Sequence, residues 1–317
     1  MIANAERTVL VSSMGWVDHD SLWIFDVPAA RETRVSLGSG ARHLSLHVAT
    51  SAHFAVAHHF DRGRFELTVH RFADPARVRA RATVGDGVQE LVGDAEEWQQ
   101  VPRLYVGYLS FAPWRDYVLL SVSPSSARIE VQGLAWFDAT YDKTYQGIVE
   151  ALEIPGQDLA LVSVARSSTL VMHELSTGQR VGTIDLVGRA GNPKLELRAG
   201  ASEVWASDYD TLVVVDRRTW RVIRSRRIQT AQGGTQKFIG DYAFSPQETS
   251  CLVARPFSGD VVELDPGSLR ITRVAGLGRQ PLELAALADG QVCARDWKTG
   301  GLLRGKPERR RWLGRPW

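Results

Sequence analysis

Ser110-Phe111-Ala112-Pro113-Trp114-Arg115-Asp116-Tyr117-Val118-Leu119-Leu120 and Ala243-Phe244-Ser245-Pro246-Gln247-Glu248-Thr249-Ser250-Cys251-Leu252-Val253 read as two copies of one strand-turn-strand unit. Each gives a Phe, a small residue, a Pro, a polar turn and then an apolar strand. The Pro presets φ for a turn, and the apolar run behind it suits a pleated, buried surface. A unit that recurs far apart in one chain marks a repeat architecture, in which each unit buries its apolar face against the next.

Working outward, short β-branched or aromatic runs recur: Leu22-Trp23-Ile24-Phe25, Phe65-Glu66-Leu67-Thr68-Val69, Leu212-Val213-Val214-Val215 and Val261-Val262-Glu263-Leu264. Gly, Pro, Asp and Ser clusters bound them and no long helical period interrupts them, which predicts an all-β protein. The third strand of each unit ends in a polar residue before a turn: Asp26, Arg71, Asp138, Glu174, Asp216 and Asp265. Their spacing runs from 36 residues (138 to 174) to 67 (71 to 138), around the roughly 40–45 residues of a four-stranded unit. The longest interval holds an insertion, about 85–101, with Asp94, Glu96, Glu97 and Trp98, expected as an excursion from one face. The turns Asp216-Arg217-Arg218-Thr219-Trp220-Arg221 and Asp265-Pro266-Gly267-Ser268-Leu269-Arg270 share an acid, then Thr or Ser, then Arg. Asp and Ser suit such turns because their side chains bond the local backbone. After Asp265 a last unit is expected, with strands near Leu282–Leu287, Gln291–Arg295 and Leu302–Arg304.

On these units the chain resembles the WD-repeat and YVTN-type seven-bladed β-propeller superfamily over nearly its whole length. The likeness is one of fold. The superfamily's Trp-Asp dipeptide and Gly-His pair do not recur regularly here, so no functional residue is carried over. The resemblance implies an all-β β-propeller of seven four-stranded blades around a channel; partial first and last units leave six or eight open. The N-terminal strand Thr8-Val9-Leu10-Val11 is expected to pair with the C-terminal blade and close the ring, removing exposed sheet edges. The expected organisation is one propeller domain over 1–303 and a basic, Trp-containing tail over 304–317.

At 317 residues, 44% hydrophobic and 23% charged, the chain has the composition of a globular protein with a large core. No apolar run reaches the roughly 18 residues of a membrane span. Met1-Ile2-Ala3-Asn4-Ala5-Glu6-Arg7 lacks a basic region followed by a long apolar stretch, so no secretory signal is expected. Two cysteines, Cys251 and Cys293, form no disulfide framework and point to a reducing cytoplasm. The net charge of +2 implies no polyanion partner for the chain as a whole. In the tail, Arg304, Lys306, Arg309, Arg310, Arg311 and Arg315 face the single acid Glu308, with Trp312 and Trp317 interleaved. Nucleic acid is expected only through this tail, and tryptophans packed on the last blade would account for the same residues.

Aligned second strands repeat at Val164-Ala165-Arg166, Val253-Ala254-Arg255 and Cys293-Ala294-Arg295, with Val56-Ala57-His58 and Trp205-Ala206-Ser207 in the same frame. Arg166, Arg255, Arg295 and His58 would then share the face that carries the loops between second and third strands. Arg offers a rigid donor fork for carboxylate or phosphate, so these residues form a candidate mouth for an anionic ligand. Ion pairs with nearby acids such as Glu174 or Asp208 are the plainer account. Six of the eight histidines, His43, His47, His53, His58, His59 and His70, lie within one short stretch. A hairpin turning at Thr50-Ser51 would set His43 opposite His58, two imidazoles that could begin a transition-metal site. No HxxEH-type spacing or Cys partner accompanies them, so polar residues between packed blades are the plainer account, and no cofactor is predicted. The segment Asp138-Ala139-Thr140-Tyr141-Asp142-Lys143-Thr144-Tyr145-Gln146-Gly147 groups Asp142, Lys143 and Tyr145, able to do acid–base work only if their pKa values are perturbed, and otherwise a solvated turn. The Gly-Asp-Gly at 85–87 and Gly-Leu-Gly at 276–278 lack the strand–helix context of a nucleotide-binding loop.

Two functions remain. The favoured one is a non-catalytic protein-interaction or scaffold propeller that meets a protein partner through one face and its loop insertions. The other is a propeller enzyme or small-molecule binder with an Arg/His-lined mouth for an anionic ligand, metal assistance being an option. Fold does not choose between them. The surroundings of Arg166, Arg255 and Arg295 do.

Overall fold

The structure, a computed structural model, describes residues 1–12, 21–37, 42–60, 64–85, 88–93, 95–100, 117–123, 128–134, 148–164, 167–177, 179–187, 191, 194–198, 200, 202–228 and 238–308. They fall into two compact units, Met1–Asp185 and Leu186–Trp317. In the first unit, β1 (Ile2–Ala3), β2 (Val9–Ser12), β3 (Ser21–Asp26) and β4 (Arg31–Ser36) make a four-stranded sheet. β5 (Arg42–Val48), β6 (His53–Phe60), β7 (Arg64–Arg71), β8 (Asp74–Gly85) and β9 (Val88–Gly93) make a five-stranded one, followed by the short helix α1 (Ala95–Gln99). β10 (Tyr117–Ser123) and β11 (Arg128–Leu134) pair as a hairpin, and β12 (Ile148–Glu153), β13 (Leu159–Val164), β14 (Thr169–Glu174) and β15 (Arg180–Asp185) form another four-stranded sheet.

The second unit holds β16 (Lys194–Arg198), β17 (Glu203–Asp208), β18 (Thr211–Asp216) and β19 (Arg221–Arg227) in one sheet. β20 (Tyr242–Phe244), β21 (Cys251–Arg255), β22 (Asp260–Leu264) and β23 (Ile271–Gly276) form the next, and β24 (Pro281–Ala286), β25 (Val292–Asp296) and β26 (Leu302–Gly305) the last. In every sheet, chain neighbours are sheet neighbours.

Six sheets among the described residues have three to five strands, and four of them have four. Where seven four-stranded blades are expected, the described residues form six blades of three to five strands, with the β10–β11 hairpin besides. The five-stranded sheet arises because the expected insertion begins as strand: β8 runs on into the β9 hairpin before α1. That segment is anchored rather than a free excursion, with Glu97 and Trp98 both buried. The expected pairing of Thr8–Val11 with the C-terminal blade is also corrected. Asn4 Oδ1 accepts the backbone N–H groups of Thr8 and Val9 at 2.8 and 2.9 Å, reversing the chain so that Ile2 and Ala3 pair with Val11 and Leu10. β2 pairs with β3 on its other side. At the boundary expected near 304, Arg304 pairs with Cys293 in β25–β26 and Glu308 exchanges two backbone bonds with Val274.

One turn device closes the outer hairpins. Asp216 Oδ1 accepts the N–H groups of Arg218 and Thr219 and the Thr219 hydroxyl; Asp265 Oδ1 accepts both donors of Ser268. Trp220 and Leu269, one residue further on, take the left-handed conformation at φ 53° and 56°. Backbone and hydroxyl donors hold both carboxyls below the usual carboxylate range.

Apolar residues lie between successive sheets. Trp205, Leu212 and Val214 of one sheet pack with Tyr242, Phe244, Val253 and Val262 of the next. Leu252, Ala254 and Val261 then pack with Leu284, Ala286 and Val292. Each large side chain so buried contributes roughly 1.5–3 kcal/mol. In the β16–β19 sheet the third strand is buried on both faces over Leu212–Val215, while the outer strand Arg221–Arg227 is charged and exposed at alternate positions.

Candidate functional site

The second strands of the second unit, β17, β21 and β25, end in parallel sequence: Trp205-Ala206-Ser207-Asp208-Tyr209, Val253-Ala254-Arg255-Pro256-Phe257 and Cys293-Ala294-Arg295-Asp296-Trp297. The fifth position is aromatic each time, and the strand ends bring these rings to one place. Phe238, just ahead of β20, is the hub. Its ring centroid lies 6.4 Å from Tyr209, 5.1 Å from Phe257 and 5.6 Å from Trp297, the last two edge to face. Phe257 and Trp297 also meet edge to face at 5.7 Å. Such pairs stabilise by about 0.5–1.5 kcal/mol each beyond the area they cover. All four residues remain part-exposed. Gly191 backs the cluster: a Cβ there would lie 2.7 Å from the Tyr209 backbone nitrogen.

Several charges at these strand ends are paired. Arg255 donates from Nε and Nη2 to Asp260 at 2.7 and 2.5 Å, a bidentate pair with both side chains buried. Asp210 receives Arg227 Nε at 2.6 Å. Asp296 accepts the Thr299 hydroxyl at 2.6 Å and the Gln280 N–H at 3.1 Å. Burial opposes charge on Asp296, but these hydrogen bonds outweigh it and hold its carboxyl below the usual range. Asp241 binds Lys194, the Tyr242 N–H and the Leu284 N–H, joining β16, β20 and β24. The five aspartates of these ends, Asp208, Asp210, Asp241, Asp260 and Asp296, are all buried. The cations around the rings reach solvent: the Arg279 side chain is 60% exposed, that of Arg227 41%, and Lys298 is exposed.

Two arginines of the expected anion mouth are described. Arg255 is engaged by Asp260, the ion-pair alternative, and Arg295 is fully buried. Arg166, Asp142, Lys143 and Tyr145 lie outside the described residues, as do the side chains of His43 and His58. The β5–β6 ladder has a register shift between Arg42 and Ser45, where a His43–His58 pair would fall. Among the described residues no group of three or more His, Cys, Asp or Glu side chains is placed to hold a metal ion. Two histidines of that stretch, His70 and His53, are built into packing. His70 stacks on Phe54 at 5.0 Å, with Nε2 2.9 Å from the Thr68 hydroxyl and Nδ1 3.0 Å from the Pro75 carbonyl. His53 Nε2 lies 3.0 Å from Glu97 Oε2, and its Nδ1 3.2 Å from the Thr50 hydroxyl.

The Thr50–His53–Glu97 chain has the connectivity of an acyl-transfer triad, but its chemistry is that of a clasp. The Thr50 hydroxyl also accepts the His53 and Ala52 N–H groups as a turn cap. Arg71 holds the other oxygen of Glu97. Burial opposes charge on Glu97, and Arg71 together with His53 outweighs it, keeping the carboxyl below its usual range.

No family model matches the chain, and no curated protein matches it. Solved structures do. The Cps50 (Swd1) β-propeller domain of Myceliophteria thermophila superposes with a TM-score of 0.67 at 11% identity, covering 96% of this chain and 94% of that one. A chain of the mitotic checkpoint complex does so with a TM-score of 0.63 at 8% identity, over 96% and 85%. The fold is a β-propeller. The WD-repeat resemblance holds at that level, and the identities are too low to carry a residue's role across.

The aromatic cluster is absent from the expected sites, although the sequence signals it. The Ala-Arg frame of the second strands, followed two residues further, meets Tyr209, Phe257 and Trp297. Phe60 stands at the same place after Val56-Ala57-His58.

Proposed function

We propose that the protein is a non-catalytic interaction propeller that receives a protein partner on the cluster Tyr209, Phe238, Phe257 and Trp297. The observation that carries this reading is the gathering of four part-exposed rings at the ends of three successive sheets. Aromatic rings are enriched at interface centres, where they cover large area at low cost in side-chain entropy. The paired charges beneath them keep the cluster fixed before a partner arrives, which lowers the cost of ordering on binding. A solved structure of similar fold belongs to a named complex, in keeping with such a role. A reducing cytoplasm remains part of the reading, supported by two buried thiols that form no disulfide. No described helix is long and apolar enough to cross a membrane.

The test is affinity purification from native extract with the wild type beside a Phe257→Ala/Trp297→Ala double variant of verified fold. A stoichiometric protein present with the first and lost with the second is expected. A partner retained by the variant, or a copurifying small molecule in its place, overturns the reading.

A further inference from the structure

From the charge around this cluster we infer that the partner segment is an acidic peptide carrying an apolar or aromatic anchor; the inference rests on the interaction reading above. The surface has two layers. The acids of the strand ends are buried, and Asp260, Asp210, Asp241 and Asp296 are held by Arg255, Arg227, Lys194 or hydroxyl and backbone donors. Among the described residues, the exposed cations around the rings are Arg279, Arg227 and Lys298. Arg279 sits between two of the aromatic loops. Its carbonyl faces Gly259, two residues past Phe257, and its guanidinium lies 3.9 Å from Asp296, beside Trp297. Arg227 borders the Tyr209 side through Asp210. A partner therefore meets an apolar centre flanked by the solvent-reaching cationic ends of two ion pairs, Arg227–Asp210 and Arg279–Asp296, and by Lys298, while the acids of those pairs are buried. An acidic segment would be drawn in by that field and would leave no buried like charge behind.

Single-stranded nucleic acid also favours aromatic and basic surfaces, but it needs ring faces open for stacking. Here Phe238, Phe257 and Trp297 pack edge to face, at 73° to 89°, so that ring faces are covered by neighbouring edges. Such a centre suits side-chain insertion at its rim better than base stacking.

The experiment selects a random displayed peptide library on the full-length protein and measures the enriched peptides by fluorescence polarisation. Enriched sequences should be net negative with at least one Leu, Phe or Trp. Their affinity should fall at least about tenfold on Trp297→Ala, as for a central anchor. It should fall about two- to fivefold on Lys298→Glu, and should fall as salt is raised. Lys298→Glu changes an exposed side chain, so it keeps the test informative should Trp297→Ala unfold, which thermal melting reports. If the enriched peptides are neutral or basic yet still lose binding on Trp297→Ala, the acidic partner is wrong and the interaction surface stands. If no enriched peptide depends on Trp297 or Lys298, both fail. A labelled single-stranded oligonucleotide that binds more tightly than the peptides and is lost on the same substitutions also overturns the inference.

Discussion

In the five-stranded sheet β5–β9, His53 and Arg71 turn inward onto Glu97, and His70 is closed off by Thr68, Phe54 and the Pro75 carbonyl. At the ends of β17, β21 and β25, Asp210, Arg255 and Asp296 are also held by partners, but four rings beside them stay part-exposed. Both regions collect residue types associated with function. The histidine-bearing sheet uses them to fasten α1 to the β5–β6 hairpin. The aromatic ends use paired charge as a floor and leave contact area to solvent. Residue type nominates a region, and the direction in which the groups face decides what it can do.

The largest expected effect tests that floor. Asp260→Ala leaves the buried Arg255 guanidinium without its bidentate acceptor. Removing one partner of a buried pair costs about 3–5 kcal/mol, to be read from urea unfolding. A loss under about 1 kcal/mol would mean that Arg255 finds another acceptor and is not held by this pair, restoring the ligand-binding arginine. Next comes Glu97→Ala, which strips His53 and Arg71 of a shared carboxylate. The Arg71 side chain is 45% exposed and can turn to water, so about 2 kcal/mol is expected, below the value for a fully buried pair. Hydrogen exchange should quicken in α1 and the β5–β6 hairpin, with peptide binding at the aromatic ends unchanged. If binding falls instead, the two regions are not independent and the comparison breaks.

Much of the architecture is legible in the chain. The three strands expected after Asp265 appear as β24, β25 and β26 within a residue or two, because buried apolar runs and Asp- or Gly-bearing turns specify them locally. The acid-led turns at Asp216 and Asp265 form as their residues dictate. The N-terminal pairing departs from the expectation because Asn4 caps the Thr8 and Val9 amides, and a three-residue start offers no strand pattern to reveal β1. The sequence leaves the site open for a different reason. Arg255 looks alike in sequence whether it meets a ligand or Asp260, and only the Arg255–Asp260 pairing across β21 and β22 settles which. The aromatic repeat was in plain sight, but Tyr209, Phe257 and Trp297 could equally have been core residues until their exposure and the approach of Phe238 were known.

The acid limb of stability follows from the carboxyls on both sides of the comparison. Glu97 and Asp296 each hold a folded pKa below the unfolded value. Their contribution is therefore complete above the ordinary carboxylate range, about pH 4, and is lost as pH falls through the lower folded values. Denaturant midpoints should stay level from neutral pH to about 5 and drop below about 4. Glu97→Gln should flatten part of that drop, since it removes one of the groups that must take up a proton. A variant with an unaltered acid slope would show that the clasp is not charged in the folded protein.

The smallest expected change in stability is at the ring on which the proposed interaction most depends. Trp205 is fully buried and packs edge to face on Phe244 at 4.9 Å, so Trp205→Ala should cost about 3–5 kcal/mol. Trp297 keeps two edge contacts and remains part-exposed. Truncating it removes area that water already reaches, and the backbone bonds of Trp297 and Gly300 that shape its turn do not involve the ring. About 1 kcal/mol is therefore expected, within the value of one or two aromatic pairs. Urea unfolding of the two variants side by side makes the measurement. A Trp297→Ala loss equal to that of Trp205→Ala would make the cluster an extension of the core, and its four rings would then resemble His70 and its neighbours in use as well as in composition.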